Sequence, residues 1–163
     1  MNPAAVTVSL TALEVAHLTS LVEQFSALVT ERDADQHDPA IARLVPDGYH
    51  EAAAAREFRD LTEGDLLQRR AADAGLVLAT LLRDGAPLRP EELDPAAAVQ
   101  TVSVPLDGER VSAWLRTLTA LRLVLATRLG IRTEVDGDTD DPRYGVYEWL
   151  GYRLEVLLQS LDG

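Results

Sequence analysis

The chain contains no cysteine and no lysine, and only 5% of its 163 residues are aromatic. Without cysteine, it has no disulfide, thiolate nucleophile, thiol redox sensor or cysteine-ligated metal of its own. Because leucine and alanine dominate the apolar residues, the composition favours helices over sheets. Arginine supplies all 15 strong positive charges, which we attribute to codon usage in a GC-rich genome.

Acidic residues outnumber basic ones, which gives the chain a formal net charge of −12 at pH 7. Such a charge repels phosphate backbones, so direct DNA binding is disfavoured and a basic partner surface fits better. No basic segment precedes the first apolar residues, and no uncharged stretch is long and apolar enough for a membrane helix. We therefore expect a cytoplasmic protein that has no membrane partner.

Metal-binding and catalytic motifs are absent from the sequence. Asp136, Asp138 and Asp140 alternate like the start of a calcium loop, but the sixth position is Asp141 and the twelfth is Tyr147, where glycine and glutamate are needed. The three histidines have no pairwise metal-ligand spacing. Because there is also no phosphate loop, nucleophile elbow or zinc-protease helix, the sequence predicts no enzyme, no metal and no cofactor.

The periodicity predicts a mainly α protein, a helical bundle of about five to six helices with two short strands that could pair. The strands are Val6–Leu10 and Thr101–Leu106, in which apolar and polar residues alternate. We expect one helical domain over 1–163, with a possible internal boundary in the proline-rich loop 86–95.

The helices are predicted from their cap residues and from apolar residues at helical spacing. Thr11 and Glu14 have the spacing of a capping box at the first helix. The predicted helices run from Thr11 to about Arg32, Asp38 to Val45, His50 to Leu61, Thr62 to about Gly85, Asp107 to Leu129, and Asp141 to about Leu161. The helix from Asp107 is apolar nearly all round, which suits a central helix or one buried in a homodimer.

Four charged residues fall within the apolar stripes of these helices. Arg70, Arg122 and Arg153 each lie between apolar residues of a different helix, and Glu14 shares a face with the apolar residues of the first helix. Desolvating an ion costs several kcal/mol by rough estimate, so inward-facing charges need partners.

Two interpretations of this charged set remain open. Glu14, with Glu57 or Asp73, could pair with the arginines in a buried ionic network, or the arginine stems could snorkel to the surface. Alternatively, Arg70, Arg122 and Arg153 could line a pocket in which guanidinium groups hold an anionic ligand or a partner carboxylate.

Several sequence blocks together resemble one actinobacterial family, the AosR-like oxidative-stress transcriptional regulators. The resemblance spans about Val8 to Leu161. Its blocks are Asp38-Pro39-Ala40, Arg43-Leu44 with Pro46, Glu57-Phe58-Arg59, Leu61-Thr62, Trp114-Leu115-Arg116, Leu121-Arg122-Leu123, Thr127-Arg128-Leu129-Gly130, and Tyr147 with Trp149-Leu150. Two features depart from the family: Thr119-Ala120 stands where Asn-Asp is common, and the thiol that oxidant sensing ordinarily needs is missing.

The resemblance implies a helical cytoplasmic protein, typically encoded beside a Clp protease adaptor and sulfur-carrier cysteine-synthesis genes. It implies a regulatory role exercised through other proteins, and no catalytic residue. Our own candidate for the partner is the transcription machinery. We therefore expect a non-enzymatic regulator of the oxidative-stress or cysteine-synthesis response that senses nothing by cysteine and contacts another protein or a second copy of itself. The alternative function is a small-anion-binding module that uses the inward arginines.

Overall fold

A computed structural model describes the backbone of residues 6–30, 52–131 and 140–162, with side chains for all of these except 52–63 and 162. The described part is mainly helical, with one two-stranded sheet, as predicted. In chain order the elements are β1 (Val6–Thr11), α1 (Ala12–Thr30), α2 (Ala52–Leu81), a 3-10 turn (Pro90–Glu92), α3 (Pro95–Ala98), β2 (Thr101–Leu106), α4 (Gly108–Leu129) and α5 (Pro142–Asp162).

The two strands pair antiparallel, which confirms that the alternating segments belong together. Val6 lies opposite Leu106 and Thr11 opposite Thr101, and the Ala12 amide extends the ladder by donating to the Gln100 carbonyl at 2.9 Å. In an antiparallel ladder, every second residue directs its backbone N and C=O away from the neighbouring strand. Counting from the hydrogen bond between Ala12 and Gln100, Pro105 is one of these residues, so its backbone N and C=O face the free edge of β2. A proline there removes a donor from that edge, as the sequence predicted for an edge strand.

The four long helices pack in the order α1, α2, α4 and α5 around a shared core. α2 contacts α1 and α4, and α5 packs on the other side of α4. Both strands and all four helices contribute to one buried apolar cluster. On α4 the buried residues cover more than half of the helix circumference, including Ala113, Ala120 and Val124, whereas Arg116 and Thr119 are exposed. The all-round apolar character of α4 therefore corresponds to a central position in the bundle.

Helix α2 differs from the sequence prediction. A helix that ended at Leu61 and a second one that began at Thr62 were expected, but α2 is continuous over 30 residues. Thr62 has the character of a cap residue, yet no proline or glycine precedes it to end the first helix, so the ladder continues. The helix ends instead before a two-residue turn, in which Asp84 and Gly85 have φ of 54° and 77°.

The predicted caps of α4 are present and fix its two ends. The Asp107 carboxylate accepts a hydrogen bond from the Arg110 amide at 3.0 Å. At the other end Gly130 has a φ of 74°, and the Ile131 amide donates to the Ala126 carbonyl at 2.8 Å. In the middle, the Trp114 indole donates to the Thr80 hydroxyl of α2 at 2.9 Å and joins the two helices.

Some sequence predictions fall outside the described residues. They are the helix from Asp38 to Val45, most of the acidic loop before Asp140, and the positions of His37 and His50. The loop 86–95 is described, and Arg89 in it forms a two-pronged hydrogen-bonded pair with Glu23 of α1, at 2.5 and 3.0 Å. The loop is thus tied to the bundle, while the extent of the domain stays a prediction.

Candidate functional site

Glu14 is positioned by the capping box at the start of α1. Its Oε1 accepts a hydrogen bond from the Thr11 amide at 2.9 Å, and its own amide donates to the Thr11 hydroxyl at 3.1 Å. This reciprocal pair satisfies two backbone donors that the first helical turn leaves without partners. With Oε1 held at the helix end, the second oxygen is left to face α5.

That second oxygen, Oε2, receives two donors from adjacent turns of α5. The Trp149 indole and the Arg153 Nη2 each donate to it at 2.7 Å. Burial raises the pKa of Glu14, but the hydrogen bonds from Thr11, Arg153 and Trp149 outweigh it and hold the pKa below its ordinary value of 4.5. Glu14 is therefore an ionised, fully engaged carboxylate at neutral pH.

Arg153 also covers the free edge of β1. Its Nη1 donates to the Ser9 carbonyl at 3.2 Å, and its guanidinium lies 5.7 Å from the Trp149 ring centroid and 5.5 Å from that of Tyr152. By the alternation of the ladder, the Ser9 carbonyl and the Thr11 amide both point away from β2. The Glu14–Arg153 pair thus binds two backbone groups that would otherwise template strand addition.

Arg122 lies against α5 in a different place. Its guanidinium carbon is 4.1 Å from the Tyr147 ring centroid, and its Nε donates weakly to the Tyr147 carbonyl at 3.4 Å. A Cβ on Gly151 would lie 2.9 Å from that Nε, so glycine gives the guanidinium room to reach the helix. No described carboxylate pairs with Arg122.

Arg122 and Arg153 do not share a site. Arg122 packs on Tyr147 and Gly151, whereas Arg153 lies on the helix face that holds Trp149. Positions two residues apart on an α-helix are separated by about 200°, so these faces are nearly opposite. α5 therefore stands between the two guanidinium groups.

The remaining predicted site residues are placed less completely. Arg70 is half-buried on α2, and its Nε is buried without a hydrogen-bond partner among the described residues. The backbone of Glu57 is part of α2, but its side chain is not among those that the structure describes. Of the predicted set, the structure brings together Glu14 and Arg153.

Sequence reasoning missed one well-made ion pair between α2 and α4. Asp73 is buried and accepts two parallel hydrogen bonds from Arg116, at 2.8 and 3.0 Å. The hydrogen bond to Asp73 raises the pKa of Arg116 above its ordinary value. The position of Asp73, three residues after Arg70 and directly before the stripe residue Ala74, indicated in the sequence that it could be buried. Nothing in the spacing of α4 identified Arg116 as its partner.

An open groove separates α1 from α5, and no sequence pattern predicted it. This groove, of about 420 Å³, begins at the Glu14 carboxylate, and we call it the α1/α5 groove. It is lined by Leu13, Glu14, His17 and Leu21 of α1 and by Pro142, Gly145, Val146 and Trp149 of α5. A second cavity of about 260 Å³ lies farther along α1, mainly between α1 and α4, and Leu21 lines both.

No group of three or more histidine, aspartate or glutamate side chains in the described ranges is arranged to hold a metal ion. Over the same part of the chain, no helix has the length and apolar character needed to cross a membrane.

Fold and groove define a mainly helical protein with a small sheet and an apolar cleft between two of its helices. The sequence profile of a family described as a domain of unknown function, DUF2017, matches residues 1–161, so the chain belongs to this family. No curated protein and no solved structure matches the chain.

Proposed function

We propose that the protein is a non-enzymatic regulator that acts through contact with another protein, in transcriptional control of the oxidative-stress or cysteine-synthesis response. The α1/α5 groove is the observation that carries this proposal. It is apolar over most of its length, and Leu13 at its rim is 37% exposed. Exposed apolar surface that is contiguous and rimmed by polar groups is typical of protein interaction sites.

The charges support a protein partner over DNA. The net charge of −12 opposes a phosphate backbone. Among the described arginines, Arg89, Arg116 and Arg153 are each bound to a carboxylate. A basic surface of the transcription machinery is a suitable partner, with a second copy of this chain as the other option. Without cysteine, the chain has no thiol of its own with which to sense oxidants.

The regulatory role is tested by deleting the gene in the organism that carries it and measuring transcripts with and without a peroxide challenge. We expect altered transcripts of cysteine-synthesis or oxidative-stress genes, restored when the wild-type chain is supplied. Unchanged transcripts in both conditions would contradict the proposal. In parallel, a folded, tagged chain that recovers no protein from the same organism would contradict action by protein contact.

A small-anion-binding module is the second candidate, and two arginines favour it. Arg122 has no described carboxylate partner, and the Nε of Arg70 is buried without a described acceptor. Two observations oppose the anion-binding candidate: Arg153 is already hydrogen-bonded to Glu14, and α5 separates Arg153 from Arg122. A ligand that binds only the native state must raise the unfolding temperature, so a thermal shift series with phosphate, sulfate and citrate tests this candidate. No shift at high anion excess would exclude it for these anions.

A further inference from the structure

Arg122 presents donors that no described residue of the chain accepts. Its guanidinium carbon lies 4.1 Å from the Tyr147 ring centroid, and one weak hydrogen bond joins its Nε to the Tyr147 carbonyl at 3.4 Å. Nη1 and Nη2 form no hydrogen bond with a described residue, and neither atom is buried. Because the tyrosine ring and Gly151 hold the guanidinium in place, its terminal nitrogens are oriented to bind a carboxylate.

A row of apolar residues on α5 continues the surface beside Arg122. Its members recur at alternating spacings of four and three residues, the pattern with which one helix packs along another. At 3.6 residues per turn they lie within an arc of about 80° on α5. Leu158 is 51% exposed and Leu161 43%, so the C-terminal half of this row is uncovered. We call the row the α5 stripe: Tyr147, Gly151, Leu154, Leu158 and Leu161.

Two carboxylates border the α5 stripe on its solvent side. Glu148 and Glu155 are exposed, and they directly follow the stripe residues Tyr147 and Leu154. Helical geometry places both within about 60° of Gly151 around the α5 axis. Neither glutamate forms an ion pair with a described residue. The surface therefore holds both halves of an ion pair, an arginine and a glutamate, that do not bind each other within one copy of the chain.

Two-fold symmetry would bring these halves together. Arg122 lies at the level of Gly151, and Glu155 is one turn farther along α5, about 6 Å at 1.5 Å per residue. When two α5 helices pack antiparallel about an axis near residue 153, Gly151 of each copy lies opposite Glu155 of the other. The same register places Leu158 near the level of Tyr147 of the other copy. In such a contact each complementary pair forms twice.

We propose that the α5 stripe joins two copies of the chain in an antiparallel two-fold dimer, in which Arg122 of each copy binds Glu155 of the other and Leu158 is covered. The α1/α5 groove is a separate surface, since its residue Trp149 lies on the other side of α5. The dimer therefore goes beyond the proposed function and can be tested without it.

The net charge determines the conditions under which the dimer should be sought. Each copy carries −12, which opposes association at low salt. At 0.15 M salt the Debye length is about 8 Å, so charges outside the contact are largely screened. One helix pair makes a small contact, and we expect a Kd of about 10–100 µM. Unfolding experiments at about 2 µM chain therefore measure the single copy.

Sedimentation equilibrium of the full chain at this salt concentration measures the dimer, and two charge reversals test its ion pair. Arg122→Glu and Glu155→Arg should each weaken association at least about tenfold. The matched controls make the same charge changes at exposed sites elsewhere. Arg69→Glu and Glu91→Arg should therefore change association less than about threefold.

A mixture of the two charge reversals tests the two-fold symmetry. The Arg122→Glu chain carries glutamate at both positions and the Glu155→Arg chain carries arginine at both, so a mixed dimer forms both ion pairs. We expect the mixture to associate within about threefold of wild type, although each variant alone does not. This rescue would also show that both variants are folded.

The leucines test the apolar part of the contact. Leu158→Gln should weaken association at least about fivefold, whereas Leu82→Gln, at 39% exposure on α2, and Leu13→Gln in the α1/α5 groove should leave it unchanged. Three results would overturn the proposal: a wild-type chain that stays monomeric up to about 500 µM, a mixture that associates no better than its components, or a dimer that Leu13→Gln dissociates as strongly as Leu158→Gln.

Discussion

The Glu14–Arg153 pair allows the sharpest stability prediction. Glu14→Gln keeps one acceptor oxygen, for the Thr11 amide, and replaces the oxygen that accepts from Trp149 and Arg153 with an NH2 donor, so it removes the charge together with those two hydrogen bonds. The Glu14 side chain is 25% exposed and the Arg153 side chain 18%, so the pair is neither fully exposed nor fully buried. Exposed ion pairs contribute up to about 1 kcal/mol, and disrupting a buried pair costs about 3–5 kcal/mol. We expect a loss of about 2 kcal/mol at pH 7, or about 4–8 °C in Tm for a chain of this length.

The pH dependence of this loss has a definite sign. Because the pKa of Glu14 is lowered in the folded state, its charge stabilises the protein above the unfolded-state pKa, and that contribution is lost as pH falls through the folded-state pKa. The difference between wild type and Glu14→Gln should therefore be full at pH 7, decline below about pH 4.5 and vanish in stronger acid.

Urea unfolding followed by circular dichroism over this pH range measures the effect. The control is Glu155→Gln, which removes the same charge from an exposed site without an ion pair and should cost less than about 0.5 kcal/mol. A Glu14→Gln loss below about 0.5 kcal/mol at pH 7, or a loss that does not change with pH, would refute the assignment of Arg153 to Glu14.

Three further predictions are each measured by urea unfolding. A methyl group at Gly75 meets no atom within 4 Å, so Gly75→Ala should raise the free energy of unfolding by about 0.5–1 kcal/mol. Gly151→Ala should give no such increase, because its methyl group displaces the Arg122 guanidinium. Equal increases would contradict the contact between Gly151 and Arg122. Thr117→Val removes a buried hydroxyl that has no described partner, so it should stabilise the protein by about 1 kcal/mol. Thr19→Val should not stabilise it, because the Thr19 hydroxyl donates to the Val15 carbonyl at 2.7 Å. The reverse order would be inconsistent with the structure. Arg122→Met should cost less than about 1 kcal/mol and Arg122→Ala about 2 kcal/mol, because methionine keeps most of the packed stem; a Met variant as damaged as Ala would indicate an essential guanidinium.

Local features were the most predictable from the sequence. The capping box of Thr11 and Glu14, the C-terminal cap at Gly130 and the pairing of the two strands all depend on residue types at short, fixed spacings. The outward-facing Pro105 followed from the chemistry of proline at a strand edge. The extra break at Thr62 was wrong, because a cap residue permits a helix start without requiring one.

Partner choice between elements was much harder to predict. Helical spacing placed Arg122 and Arg153 on inward faces, but it could not show that they lie on opposite sides of α5. Asp73 was considered a partner for the inward arginines, yet it binds Arg116. The α1/α5 groove depends on the separation of two helices that are far apart in sequence, and no local pattern encodes that separation.

We propose that the protein regulates through the α1/α5 groove, while the Glu14–Arg153 pair stabilises the fold. The most direct test supplies Leu13→Gln or Leu82→Gln to a strain that lacks the gene and measures transcripts under peroxide challenge. If the groove is the regulatory surface, Leu13→Gln folds like wild type but fails to restore the response, whereas Leu82→Gln restores it. Full restoration by folded Leu13→Gln would contradict regulation through the α1/α5 groove.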